Sequence, residues 1–153
     1  NVVSIMTNMM LQNRNPIIYG DGEQKRSFSD IEDCIYCLDK LLFDKKINKQ
    51  VVNIGPDENF ITINELYSIL SNKLKFNKNA KYYKDRPNEV KYAKCSSDKA
   101  RKLLNYKTTV TLEDSIQKVV DYVSKSGPKK FLYNYEIELN NNLVPITWKK
   151  KLF

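Results

Sequence analysis

The sequence has 153 residues, 41% of them hydrophobic and 29% charged, proportions that suit one globular domain, or part of one, and exclude a disordered tail. Lys and Arg number 26 against 18 Asp and Glu, a formal charge of +8, so an anionic partner is expected: phosphate, nucleic acid or a membrane surface. The complete absence of histidine removes imidazole as base or ligand, and with it His-assisted serine or cysteine catalysis and most zinc chemistry.

Val2, Ile5, Met6, Met9 and Met10 recur at helical spacing over residues 2–12, and a polar run ending at Pro16 stops the pattern. The chain opens at Asn1 with no initiator Met and no charged leader, and its front end is expected to be missing. An apolar strand at 16–19, a Gly20-Asp21-Gly22 turn and a second extended piece around Arg26 and Phe28 follow. Ser29 and Asp30 suit the cap of a helix to Phe43, with Ile31, Cys34, Ile35, Leu38 and Leu42 on one apolar face. After the lysine-rich loop DKKINKQ, the stretch QVVNIG at 50–55 reads as a buried strand ending in Gly55-Pro56-Asp57.

Thr62 and Glu65 form a capping box for a helix with Ile63, Leu66, Ile69, Leu70 and Leu74 on one side. A basic, aromatic strand at 80–83, a loop at 85–90 and a Ser-capped helix at 97–104 come next. Thr111 and Asp114 begin the last helix, lined by Leu112, Ile116, Val119, Val120 and Val123 and ended by Gly127-Pro128. The order is mixed α/β without a repeat, with a domain at 1–127 and a tail at 128–153. In that tail Phe131, Tyr133, Tyr135 and Ile137 alternate as in an exposed edge strand. Its aromatics and Trp148 are expected to dock on the body or on a neighbouring chain.

Cys34, Cys37 and Cys95 are an odd set without a signal peptide, which fits free thiols in a reduced, cytoplasmic chain. The Cys34-Cys37 pair lies in mid-helix and not at an exposed helix start, so core packing of Cys34 is expected, and no metal site. No apolar run approaches the ~20 residues needed to span a bilayer. Arginine is scarce. Arg14 and Arg101 lie in polar helix stretches and read as surface residues, whereas Arg26 follows the glycine-rich turn and Arg86 is stiffened by Pro87. Both of these suit a bidentate grip on phosphate.

YGDGEQKRSFSDIED at 19–33 resembles the YGDGxQxRxFxxVxD segment of nucleotide-sugar epimerases and dehydratases, which are extended short-chain dehydrogenase/reductases. VVNIGPDENFITINEL at 51–66 is similar to that family's (F/Y)NIGxxxxxxxxEL. DRPNEVKYAKCSSDKARKLLNYKTTVTLEDSIQKVVDY at 85–122 is similar to its RPGDxxxxxxDxSKAxxxLGWxPxxxLxEGLxxTxxY. The resemblance spans about residues 2–126. The family's glycine-rich GxxGxxG turn and its catalytic Tyr-x-x-x-Lys pair are nowhere in the sequence. The resemblance therefore implies a small mixed α/β substrate-binding domain without its Rossmann half, with no catalytic residue and no cofactor of its own. NAD would belong to the complete enzyme, and the chain alone would not turn over.

Carried over by resemblance, Arg26 and Arg86 hold the diphosphate of a sugar nucleotide. Tyr19, with the backbone of Ile17 and Ile18, lies along the nucleobase; Asn53 makes a polar contact near the nucleotide; and Glu89 stands near the ribose where relatives carry Asp. The bland readings are a Tyr19 packed at a strand end, an Asn53 that caps a turn and a Glu89 that is a solvated loop acid. Asp21 and Gln24 read as turn-shaping residues, and Asp30 and Asp33 as helix-capping residues facing solvent. Asn88 and Asn105 replace family glycines, Tyr106 replaces a Trp, and Lys94, Cys95 and Ser96 cover a place where relatives carry Asp. Asn tolerates positive φ better than most residues.

The implied function is to bind the nucleoside diphosphate of a UDP-, dTDP- or GDP-sugar as part of an NAD-dependent epimerase or dehydratase. The nearest activity is that of a UDP-glucose 4-epimerase in surface polysaccharide sugar synthesis. The implied partners are an N-terminal Rossmann half, in cis or in trans, and a second copy in a homodimer, with no membrane and no nucleic acid. Two rival classes are a basic nucleic-acid-binding module and a non-catalytic partner subunit. Dispersed lysines with no stripe of Arg and aromatics speak against the first.

Overall fold

The Asn1 side chain accepts the Val3 N–H at 3.1 Å and starts α1 (Val2–Leu11). The computed structural model describes residues 1–58, 60–134, 136, 138 and 141–153, and of Lys46 only the backbone. β1 (Ile17–Tyr19) and β2 (Lys25–Ser27) follow, then α2 (Ile31–Phe43), a 3-10 turn at Lys45–Ile47, β3 (Phe60–Thr62) and α3 (Ile63–Leu74). β4 (Lys81–Tyr83), β5 (Tyr92–Ala93), α4 (Asp98–Leu104), α5 (Leu112–Ser126) and the short α6 (Ile146–Lys149) complete the order. This is the mixed α/β class that the sequence implies.

α1, α3 and α5 pack on one another through Met6, Met10, Leu66, Leu70 and Ile116, and Ile18 of β1 is buried against the same cluster. Burial of side chains of this size contributes roughly 1.5–3 kcal/mol each. The predicted capping box is present: Glu65 N–H donates to Thr62 Oγ1 at 3.0 Å and Thr62 N–H to Glu65 Oε2 at 2.7 Å. A second, smaller core joins Cys37, Ile47, Ala100, Leu104 and Tyr106 beneath α2 and α4.

The strands form two small sheets. β1 pairs with β4 in parallel, Ile17 opposite Lys81 and Tyr19 opposite Tyr83. β2 is central in the other, antiparallel to β3 with Lys25 opposite Thr62, and parallel to β5 with Arg26 opposite Ala93. The turn between β1 and β2 therefore carries the chain from one sheet to the other and is not a hairpin. Gly20 (φ +62) and Gly22 (φ +77) adopt left-handed backbone there, and a Cβ on either would collide with the side chain of Asp85 or Asn64. The positive φ expected at Asn88 and Asn105 is found, at +57 and +52.

Several expectations are corrected. Residues 51–54 form no strand, and Val51 is 84% exposed, because no neighbouring strand among the described residues completes a ladder with them. α2 is a helix over the expected span, yet Ile31, Ile35, Leu38 and Leu42 stand in solvent. Its buried face is instead centred on Asp33 and Cys37, with Cys34 only half-buried. Both thiols are pushed up from their ordinary value by burial. Ser97 does not cap α4 with its hydroxyl, which bonds Gly55 O, while its N–H donates to Asp57 at 2.9 Å.

Asp30 and Asp33 are buried and do not face solvent. Asp30 accepts the Glu32 N–H at 3.0 Å as N-cap of α2 and the Ser115 hydroxyl at 2.7 Å. Burial alone would raise its carboxyl, but these bonds and Lys118 hold it low. Asp33 takes the Thr109 N–H at 3.1 Å. The tail makes no strand among its described residues, and Tyr135 and Ile137 lie outside them. Phe131 and Tyr133 instead meet edge to face at 4.7 Å, and the Lys129 N–H donates to Asn8 Oδ1 of α1 at 2.8 Å. Among the described residues no helix is long and apolar enough to cross a membrane.

Candidate functional site

Because β1 and β4 are parallel, their C-terminal ends open on the same side, where crevices between loops commonly take ligands. The turn after Tyr19 and the loop after Tyr83 face each other there across a cavity of about 520 Å³. Its charged walls are Lys84, Arg86 and Lys91 on one hand and Asp21, Asp85 and Glu89 on the other. Lys91 reaches Asp21 at 3.2 Å. The Glu23 N–H and then Lys91 hold the Asp21 carboxyl below its ordinary range, and Asp21 in turn raises Lys91.

Arg86 is different. Its guanidinium lies 5.4 Å from the centre of the Tyr19 ring, and no carboxylate is ion-paired to it among the described residues. The ring orients the flat cation without neutralising it. Tyr19 is itself fixed: its hydroxyl donates to Thr147 Oγ1 at 2.6 Å and accepts the Thr147 N–H at 3.1 Å, while Gln24 holds its carbonyl at 3.0 Å.

Arg26 reaches the same region from β2. Its Nη1 donates to the carbonyls of Lys25 (2.7 Å) and Lys91 (3.2 Å), and its Nη2 pairs with Glu89 at 3.1 Å. It thereby ties the 89–91 stretch to the second sheet and presents Glu89 to the cavity, which Arg26 itself does not line. Of the five residues singled out in the sequence, the fold joins Tyr19 to Arg86 and Arg26 to Glu89, and brings Arg86 and Glu89 to one cavity. Asn53 is exposed on the 51–54 segment and lines neither this cavity nor the smaller one beside it.

That smaller cavity, about 270 Å³, has aromatic walls supplied by Tyr19 and the tail, and Arg86 belongs to both. A larger one of about 980 Å³ lies elsewhere, between α2 and α4. Two of its charged groups are engaged: Asp33 by Thr109, and Arg101 by Asp57 and Asp98, each at 3.0 Å. Arg101 is thus a structural ion pair and not an idle surface charge. Arg14 likewise donates to Leu152 O at 2.9 Å. Lys84, Lys91 and Thr147 escaped the sequence reading, the lysines because many others surround them and Thr147 because its contact depends on the tail folding back.

A family model described as GDP-mannose 4,6 dehydratase matches residues 1–119. The chain belongs to the extended short-chain dehydrogenase/reductase family of NAD-dependent epimerases and dehydratases. A Methanocaldococcus jannaschii protein provisionally named UDP-glucose 4-epimerase is 32% identical over 82% of the chain and 40% of its own length. The UDP-glucuronic acid 4-epimerase of Bacillus cereus, in complex with UDP-glucuronic acid and NAD, superposes with a TM-score of 0.78 at 30% identity. That match covers 83% of this chain and 40% of the epimerase. The Thermotoga maritima UDP-glucose 4-epimerase with UDP-glucose gives 0.77 at 27% identity, over 82% and 40%. The chain therefore spans about 40% of the length of these relatives.

NAD requires a glycine-lined turn at a helix N-terminus for its pyrophosphate. The four glycines here do not make one: Gly20 and Gly22 link two strands, Gly55 abuts Ser29, and Gly127 ends α5. None of the four therefore supplies a pyrophosphate turn of the kind NAD needs.

Proposed function

We propose that this chain binds the nucleoside diphosphate part of a nucleotide sugar, UDP-linked as in the relatives named above, as the substrate-binding portion of a longer NAD-dependent epimerase or dehydratase. The single observation that carries the reading is Arg86. It is a guanidinium at the mouth of a cavity, oriented by an aromatic ring and ion-paired to no carboxylate among the described residues. Lys84 adds charge beside it, and Glu89, paired with Arg26 in the unliganded chain, offers acceptors for a ribose hydroxyl once released. Arg26 joins the diphosphate by exchanging Glu89 for phosphate. The NAD-binding half, in cis or in trans, is the proposed cover for the exposed face of α2 and the partner for the 51–54 segment. The setting implied is cytoplasmic synthesis of polysaccharide precursors.

Calorimetric titration with UDP-glucose tests this. Arg86→Ala should weaken binding by roughly 1.5–3 kcal/mol, the range for a bond to a charged group, which is about ten- to a hundredfold. Arg26→Ala should also weaken it, and Arg26→Lys should rescue only in part, because a compact ammonium lacks the fork that spans two carbonyls and a carboxylate. Lys102→Ala and Lys125→Ala, both exposed, are the charge controls. Equal losses in all of them would show that general basicity is responsible and would remove the site.

A further inference from the structure

We infer that Thr147, in the tail, is a positioning residue for Arg86: it fixes the Tyr19 ring that aims the guanidinium, so that docking of the tail and binding of a diphosphate stabilise each other. The inference rests on the reading above that the Arg86 cavity takes a diphosphate.

The contact follows from helix chemistry. Pro145 opens α6 and Thr147 is the second residue of that helix, so its N–H is one of the donors at a helix start that lack an intrahelical acceptor. The N–H groups of Trp148 and Lys149 turn back to Pro145 O at 3.0 and 3.2 Å, while that of Thr147 goes to Tyr19 Oη at 3.1 Å. The phenol returns the bond, donating to Thr147 Oγ1 at 2.6 Å. Thr147 is 1% exposed, so water does not replace a lost partner, and cutting the pair leaves a buried polar group unsatisfied. Other anchors keep the tail in place for this bond. Asn8 of α1 bonds both the carbonyl and the N–H of Lys129, each at 2.8 Å, and Arg14 donates to Leu152 O at 2.9 Å.

Tyr19 is thus gripped at opposite ends, its carbonyl by Gln24 of the body and its hydroxyl by the tail. The ring between them is the face over which Arg86 lies. Its position counts because of what it prevents. Asp21, Asp85 and Glu89 line the same cavity as Arg86. A guanidinium released from the ring pairs with a carboxylate of that wall, and a paired cation offers less to an incoming phosphate. The ring holds the cation without neutralising it. By linkage the coupling is reciprocal: an occupied site steadies the tail by as much as the docked tail favours the site. The family model ends at residue 119, so Thr147 lies beyond the part of the chain that it matches.

Inorganic pyrophosphate, titrated by calorimetry into the full chain, is the probe. Thr147→Val keeps the shape and removes the hydroxyl, and should weaken binding roughly two- to fivefold, the scale of an exposed cation–π contact. Thr147→Ser should restore it. Tyr19→Phe keeps the ring and loses the hydroxyl, and should match Thr147→Val; the two together should be no worse than either alone, because they cut one contact. Saturating pyrophosphate should slow trypsin cleavage after the exposed Lys149 and Lys150 in the parent, and should not in Thr147→Val. If Thr147→Val opens the tail to trypsin but binds pyrophosphate as the parent does, Thr147 is an anchor only, and the positioning role is overturned while the diphosphate reading stands. Losses that add in the double variant, or that Thr147→Ser does not restore, assign the effect to packing and overturn it equally. If pyrophosphate does not bind the parent, the diphosphate reading falls and takes this inference with it.

Discussion

Arginine makes different kinds of contact in this chain, and the difference lies in what each guanidinium faces. Arg86 faces a ring, Arg26 faces Glu89 and two carbonyls, and Arg101 faces Asp57, Glu58 and Asp98. Only the last is a purely structural knot, and it makes a pH-dependent prediction. Arg101, and then the Ser97 N–H, hold the Asp57 carboxyl far below its ordinary value. A depressed acid contributes stability that is fully present above the unfolded-state value near pH 4 and is lost as the pH falls toward the folded one. Asp57→Asn should therefore destabilise the chain at neutral pH, and the gap to the parent should close in urea melts taken between about pH 5 and about pH 2. A gap that stays constant across that range would assign the loss to packing and not to charge.

At the scale of elements, the sequence conveys what is local and loses what depends on a neighbour. Helices α1 to α5 were legible because their caps and apolar spacing are encoded within one or two turns, as in Thr62 with Glu65, Asp30 before α2 and Thr111 before α5, whereas α6 in the tail was not. Which face of α2 meets the body was not legible. Cys37 is buried and Leu42 is 77% exposed although both belong to one apolar helix. The stretch at 51–54 carries strand-forming residues without forming a strand, since pairing is a property of two segments. Sites followed the same rule: Arg86 was marked by its own Pro87, whereas its ring partner and the tail contact to Tyr19 were invisible. The bare face of α2 has a measurable effect. Sedimentation of the chain should show concentration-dependent association, and Ile35→Glu with Leu42→Glu should abolish it while changing stability by no more than about 0.5 kcal/mol per site, as is usual for exposed positions. Association that survives the double change would place the contact elsewhere.

Across the whole molecule, the two cores divide the work. The α1, α3 and α5 cluster carries the strands that frame the cavity, and the smaller cluster under α2 and α4 carries the exposed face. The parallel pairing of β1 with β4 has a kinetic consequence. β2, α2, β3 and α3 are strung between the two strands, so the loop that must close before Tyr19 stands beside Tyr83 is long, and its closure entropy falls before any contact returns. Helices form within microseconds, while such non-local pairings wait. In refolding from urea, far-ultraviolet circular dichroism should recover first and Trp148 emission later, because the neighbouring Thr147 bonds Tyr19 across a sequence separation of 128 residues. The face that carries the Tyr19–Arg86 contact would then be the last part of the chain to form, and the molecule would be helical for some time before that cavity existed.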